Sequence, residues 1–229
     1  MKKFNPQHCI IVFVKAPVEG LVKTRLAGCL GARGALLLYR ALAEDVLAAV
    51  CAMDCQVRVF YYPANHQAIV RGWLGDDMPL YVQQGADLGE RMHHALCCTA
   101  ADGFERIVLV GSDIPGIDEQ IIKSAFTALT TRPAVFGPAK DGGYYLAGFK
   151  SGAIFPRAFA AIDWGSSDVF EQTMKRFAKK GQTPAVLPVL SDMDTPDDLR
   201  ALAAKLAGDG GFQGRLLHTR EVLEKINIL

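Results

Sequence analysis

No apolar run in this sequence approaches the roughly 18 residues that a membrane-spanning helix needs. Its six cysteines contain no C-x-x-C pair, which argues against a structural zinc site or a thioredoxin-like centre. Net charge is almost absent: 25 Lys and Arg stand against 24 Asp and Glu, leaving +1. A broad basic field of the kind that gathers nucleic acid or anionic membrane is therefore missing, and any cationic site has to be local. The usual phosphate-loop signatures are missing too. There is no G-x-x-x-x-G-K-S/T, and the segment GDGGFQG at 208–214 follows a helical pattern rather than a strand, so it reads as a loop. The opening MKKFNPQH is basic, but the apolar stretch behind it runs only about six residues before Lys15, too short for a signal-peptide core. The expectation is a cytoplasmic protein. Its thiols are read as reduced and buried, with Cys9, Cys51 and Cys97 inside apolar patterns.

What is present is a large apolar fraction, 50% of 229 residues, enough for a substantial core in one domain spanning 1–229. The pattern alternates. CIIVFV reads as a fully buried strand, and RGALLLYRALAEDVLAAVCAM has helical spacing through Leu36, Leu37, Tyr39, Leu42, Val46, Leu47 and Val50. Strand-like segments QVRVFYYP, PLYVQQ, RIVLVGSD, PAVFGPA, GYYLAGF and TPAVLPVL interleave with helical ones. Asp87 reads as an N-cap with Glu90 three residues on, Ser166 or Ser167 caps the helix that follows, and Thr195 with Pro196 opens another. Pro188 places the last strand at an edge or a bend. Continuous apolar strands alternating with helices predict an α/β fold, a mostly parallel sheet with helices on both faces.

In such folds ligands bind beyond the carboxyl ends of the strands. Four segments fall there. FVKAPVEGLVKTRLAG brings Lys15, Lys23 and Arg25 together after the first strand, with Gly20 allowing a close turn, at the start of a helix whose free N–H groups favour anions. This cluster predicts phosphate binding. GSDIP puts Asp113 at the end of a buried strand, a candidate metal carboxylate. In GPAKDGGYYLAG, Gly142 and Gly143 permit close backbone approach, and Asp141 is a candidate base or partner for hydroxyl groups; Asp-Gly is equally what a plain hairpin turn uses. In DMDTPDDL, Asp192 and Asp194 alternate on an extended segment and face one way, which is unfavourable unless a metal or a cationic side chain lies between them. Trp164 in AIDWGSS is a candidate acceptor-stacking residue. His93 and His94 fall on different sides of one helix, so joint metal ligation is not expected; one is read as packed and the other as solvated.

Taken in order, VKAPVEGLVKTRLAG, GADLGERM, GSDIP, GPAKDGGYYLAG and DMDTPDDL resemble a bacterial family of glycosyltransferase-A-like proteins, assigned provisionally as nucleotide-diphospho-sugar transferases. More distantly the set is similar to guanylyltransferases of phospholactate and the molybdenum cofactor. The resemblance spans about Ile10 to Leu199. It implies a Rossmann-like GT-A fold and transfer from a nucleotide-activated donor, most readily a nucleotide-diphospho-sugar, with nucleotidyl transfer to a phosphorylated acceptor as the alternative. It further implies Mg²⁺ or Mn²⁺ on Asp113 and Asp194, with Asp192 as a further metal candidate. Phosphates would meet Lys15, Lys23 and Arg25, and a small-molecule acceptor would lie near Asp141, Gly142 and Gly143. The glycine-rich opening of sugar nucleotidyltransferases is missing, which leans against pyrophosphorylase chemistry.

Overall fold

The first strand explains the architecture. In β1 (His8–Lys15) every residue from Cys9 to Val14 is buried. Alternate side chains of a strand point to opposite faces, so such a strand needs cover on both sides. Ile10, Val12 and Val14 enter one core with Val46, Leu47 and Val50 of α1 (Ala27–Cys51) and Ile122, Ala125 and Leu129 of α4 (Glu119–Thr131). Ile11 and Phe13 enter the opposite core with Met92, Ala95 and Leu96 of α3 (Leu88–Ala101) and Phe177 of α5 (Val169–Lys179). The computed structural model describes residues 7–208 and 214–229; most of the GDGGFQG segment lies outside the described residues.

The remaining strands are β2 (Gln56–Tyr62), β3 (Leu80–Val82), β4 (Arg106–Gly111), β5 (Ala134–Pro138), β6 (Tyr144–Lys150) and β7 (Ala185–Val186). Together with β1 they form one seven-stranded sheet in the order β3-β2-β1-β4-β6-β5-β7. β1 pairs parallel with both β2 and β4, and β2 with β3. β6 runs antiparallel to both its neighbours, β4 and β5. The α/β expectation of a mostly parallel, doubly covered sheet is met, with β6 as the reversed strand. Its reversal follows from the tight Asp141–Gly142 turn, which returns the chain directly from β5 without a crossover helix.

Local readings hold where a cap or breaker fixes them. Asp87 accepts from the Glu90 N–H at the start of α3. Thr195 and Asp198 form a reciprocal capping box at the start of α6 (Pro196–Ala207). They fail where packing decides. α1 begins earlier than its apolar pattern, with an interruption at Gly31 (φ 70). α5 starts at Val169 after Asp168, and neither Ser166 nor Ser167 caps it. TPAVLPVL contributes only the two residues of β7 and an isolated bridge from Leu190 to Ala139. Of the cysteines, all free, only Cys9 is buried; Cys51 is exposed and Cys97 half-buried. His93 and His94 are both half-buried, each within hydrogen-bonding reach of the cysteine one turn on, so neither is the solvated member of a pair. α2 (Gln67–Leu74) lies between β2 and β3 in sequence, and α7 (Leu217–Lys225) docks on α1 through Leu216 and Leu223, which share a cluster with Leu26, Leu38 and Leu42. Among the described residues no helix is long and apolar enough to cross a membrane.

Candidate active site

From β1 the chain leads to β2 and β3 on one side of the sheet, while β4 lies on the other, so the carboxyl ends of β1 and β4 border a switch point. The basic loop leaves β1 there, and Asp113 leaves β4. The loops after β5 and β7 carry Asp141, Asp192 and Asp194 toward the same edge. Two cavities open at it. The smaller, about 190 Å³, is lined by Lys15, Leu21, Val22, Lys23, Thr24, Arg25, Tyr39, Asp113 and Asp194. The larger, about 530 Å³, has Arg25, Asp113 and Asp194 in common with it and adds Asp141, Asp192, Gly143, Tyr144, Trp164 and the start of α3. The expected cations and carboxylates are thus brought together, and they divide into a cationic compartment and an acidic, aromatic one.

Lys23 joins the two. Its Nζ donates to Asp113 Oδ2 at 2.6 Å and to Asp194 Oδ1 at 2.7 Å, and its side chain is 3% exposed. Its backbone lies at φ 47, in the left-handed region that a lysine seldom adopts. Burial pushes the Lys23 pKa down, but the attraction of Asp113 and Asp194 outweighs it and leaves the ammonium above its ordinary value. For Asp113 burial pushes upward, and the Lys23 charge with its hydrogen bond, aided by Lys15, holds the carboxyl below its usual range. Burial raises the Asp192 carboxyl, with the negative charge of Asp141 adding to it. The expected cation between two carboxylates is therefore present as a lysine side chain, and it lies between Asp113 and Asp194 rather than between Asp192 and Asp194.

Glycines divide differently. Gly20 (φ 79) makes its turn in open space and lines neither cavity. Gly142 (φ 92) also lines neither, because a Cβ there would meet the Ser167 carbonyl oxygen at 1.8 Å. Its carbonyl accepts from Phe170 N–H, so this glycine docks the turn on the loop before α5. Gly143 does face the larger cavity, and its N–H donates to Asp141 Oδ1 at 2.8 Å, fixing that carboxylate in an Asx-type turn. Trp164 packs over Gly89, where a Cβ would meet its ring at 2.5 Å, and stands edge-on to Tyr144 at 6.1 Å. Its indole N–H is buried and has no hydrogen-bond partner among the described residues.

Sequence reasoning missed Tyr39. It sits within the apolar stripe of α1 and is buried with it, yet its hydroxyl accepts from Lys15 N–H at 2.7 Å and donates to Lys15 O at 2.9 Å, with Ser112 Oγ 3.3 Å away. It ties the end of β1 to the residue before Asp113. A hydroxyl-bearing ring at one position of an otherwise aliphatic stripe was the available signal. Asp198 was also missed: besides closing the capping box, it accepts from Asp194 N–H at 3.2 Å and so fixes the backbone of a site residue.

Two carboxylates converging on one cation position are a donor set that Mg²⁺ or Mn²⁺ accepts, since such ions take one or two carboxylates and complete their shell with water and phosphate oxygens. The chemistry fits, although the position between the carboxylates belongs to the Lys23 ammonium. Among the described residues no group of three or more His, Cys, Asp or Glu side chains is arranged to hold a metal ion.

A protein from Desulfovibrio desulfuricans G20, named provisionally as a nucleotide-diphospho-sugar transferase, has a crystal structure that matches with a TM-score of 0.91 at 34% identity, covering 98% of this chain and 96% of that one. The fold extends to 4-diphosphocytidyl-2C-methyl-D-erythritol synthase from Anaerococcus prevotii DSM 20548, with a TM-score of 0.58 at 14% identity over 89% of this chain and 97% of that one. It extends also to the inositol-1-phosphate CTP transferase of T. maritima, with a TM-score of 0.53 at 12% identity over 90% and 98%. At these lower identities the likeness is one of fold, and it establishes the α/β architecture of the nucleotide-diphospho-sugar transferase and cytidylyltransferase type. No curated protein matches the sequence. Residues 46–166, more than half of the chain and including Asp113, the Asp141 turn and Trp164, match the family described as uncharacterised proteins conserved in bacteria (DUF2064), and the chain belongs to that family.

Proposed function

We propose that the protein is a transferase that takes a nucleotide-activated donor, a nucleotide-diphospho-sugar, and moves its glycosyl group to a small-molecule acceptor. The observation that carries this reading is the pair of cavities meeting at Arg25, Asp113 and Asp194. The cationic one suits the donor diphosphate, and the acidic, aromatic one suits a polar, hydroxylated acceptor.

Lys15, Lys23 and Arg25 bind and neutralise the phosphates, and their pull favours departure of the nucleoside diphosphate. Tyr39 keeps the end of β1, and hence Lys15, in register with Ser112 and Asp113. In the larger cavity Asp141 takes the proton of the acceptor hydroxyl as its oxygen bonds to the anomeric carbon and the bond to the diphosphate oxygen breaks. Trp164 and Gly143 wall the acceptor. Mg²⁺ or Mn²⁺ on Asp113 and Asp194 would supply further charge neutralisation at the donor phosphates.

Nucleotidyl transfer to a phosphorylated acceptor is the second reading, favoured by the three cations lining one small cavity, which also suit a departing pyrophosphate. Thermal shifts with nucleotides and nucleotide-sugars, with and without Mn²⁺, identify the donor, since a ligand at a hundred times its dissociation constant adds about 2.7 kcal/mol. The released product then separates the readings. Nucleoside diphosphate supports glycosyl transfer, pyrophosphate supports nucleotidyl transfer, and neither product with any stabilising nucleotide overturns both.

A further inference from the structure

The Lys23 side chain is withdrawn from solvent, whereas Lys15 and Arg25 are exposed. The Lys23 backbone adopts the left-handed conformation, and both close partners of its ammonium are carboxylates of the site. Those carboxylates are 38% and 41% exposed, so they meet solvent freely, while the lysine is 3% exposed and only borders the smaller cavity. A free divalent ion approaching Asp113 and Asp194 has to expel a buried ammonium, which is left without a partner at the cost of an uncompensated buried charge. A phosphate in the smaller cavity removes that cost. Lys23 lines this cavity with Lys15 and Arg25, and its ammonium exchanges carboxylate oxygens for phosphate oxygens there.

Resting on the reading of a phosphate-bearing donor, we propose that Lys23 is a resident counter-cation that closes the Asp113–Asp194 pair to a divalent metal until a phosphate draws the ammonium away. Metal and phosphate then load together, and neither loads well alone. The arrangement guards the carboxylates from mutual repulsion in the free protein and makes the metal site conditional on the donor. By linkage, metal strengthens phosphate binding by the same factor as phosphate strengthens metal binding.

The test uses the full chain and two probes. Mn²⁺ alone is titrated and read from the spectrum of the free ion by electron paramagnetic resonance, for wild type, Lys23→Met, Lys23→Gln and Lys23→Met combined with Asp113→Asn. Circular dichroism verifies the fold of each. Wild type is expected to bind Mn²⁺ alone weakly. Either single variant should bind it at least about tenfold more tightly, because two carboxylates then face one another without a counter-cation. The added Asp113→Asn change should abolish that gain. The second measurement needs no variant: inorganic pyrophosphate should bind wild type at least about tenfold more tightly with Mg²⁺ than without it, by calorimetry. Wild type binding Mn²⁺ alone as tightly as the Lys23 variants overturns this proposal and leaves a metal-dependent donor site standing. A gain that survives Asp113→Asn also overturns it, since the ion is then elsewhere. If no protein binds Mn²⁺ and Mg²⁺ does not alter pyrophosphate affinity, the proposal and the metal part of the functional reading fall together.

Discussion

On the β1 side of the crevice the chain presents Lys15, Lys23 and Arg25 from a loop that turns at Gly20 in open space. On the β5 side it presents Asp141, Gly143 and Trp164 from turns pressed against their neighbours, Gly142 on the Ser167 carbonyl and Trp164 on Gly89. One side is assembled by charge and leaves its backbone room; the other is assembled by packing and leaves almost none. Substitutions on the first side should therefore act on binding before folding, and those on the second on folding before binding. Lys23 is the exception that joins them, since it belongs to the basic loop yet is buried between carboxylates of the segment after β4 and the segment before α6.

The sharpest break in this contrast is Gly142→Ala. The residue needs positive φ and its Cβ would overlap a backbone oxygen, so the turn has to move; a loss of about 3 kcal/mol or outright misfolding is expected. Gly20→Ala, strained in φ but unobstructed, should cost only about 1 kcal/mol. Urea denaturation of the pair measures both, and equal losses would erase the distinction between the two sides.

Asp194→Ala comes next. Turnover with the donor that the screen identifies should fall by about a hundredfold, the scale of losing one charged group aimed at the transition state. Because Lys23 keeps Asp113, the melting temperature should fall only modestly, as a half-exposed carboxylate is lost. Asp197→Ala is the control, an exposed residue paired with Arg200 on the outer face of α6, and it should leave turnover alone. Wild-type turnover in Asp194→Ala would remove this carboxylate from the site.

A smaller effect is expected for Arg25→Ala. This exposed arginine lines both cavities, so nucleoside diphosphate affinity should fall about tenfold while bare nucleoside affinity and stability stay unchanged. Calorimetry with the two ligands decides. Equal losses would mean that the loop acts through folding, contrary to the contrast drawn above.

The smallest effect is one of pH. Asp113 is held below its ordinary value of 3.8, so its contribution to stability is fully present above that value and is lost as pH falls through the lowered one. Lys23 is held above 10.5, so its contribution is present below that value and is lost as pH rises through the raised one. The bridge therefore spans the neutral range at full strength. The stability difference between wild type and Asp113→Asn should be flat from pH 5 to pH 9 and shrink below about pH 3.8, which denaturation at stepped pH measures. A difference that instead peaks near neutrality would assign the titration to another group.

Much of this was legible in the amino-acid order. CIIVFV had to be a strand covered on both faces, because every side chain in it is apolar. Thr195 and Pro196 had to open a helix, because a hydroxyl cap and a fixed φ suit that position. Lys15, Lys23, Arg25, Asp113, Asp141 and Asp194 were expected near one edge of the sheet once the strands were placed, because each lies at a strand's end or in the segment that leaves one. The tertiary structure alone decided what these residues do to one another. Lys23 stands 90 residues from Asp113 and 171 from Asp194, and no local pattern records that its ammonium donates to both. Tyr39 read as core because burial and hydrogen bonding leave the same mark in an apolar stripe. Gly142 read as a place for a ligand because a missing side chain, which permits close approach, is visible in the sequence, whereas the carbonyl that occupies the space beside it is not. Short-range preferences are set by a residue's own backbone and its immediate neighbours; the partner of a buried charge is set by which distant loops the sheet brings together.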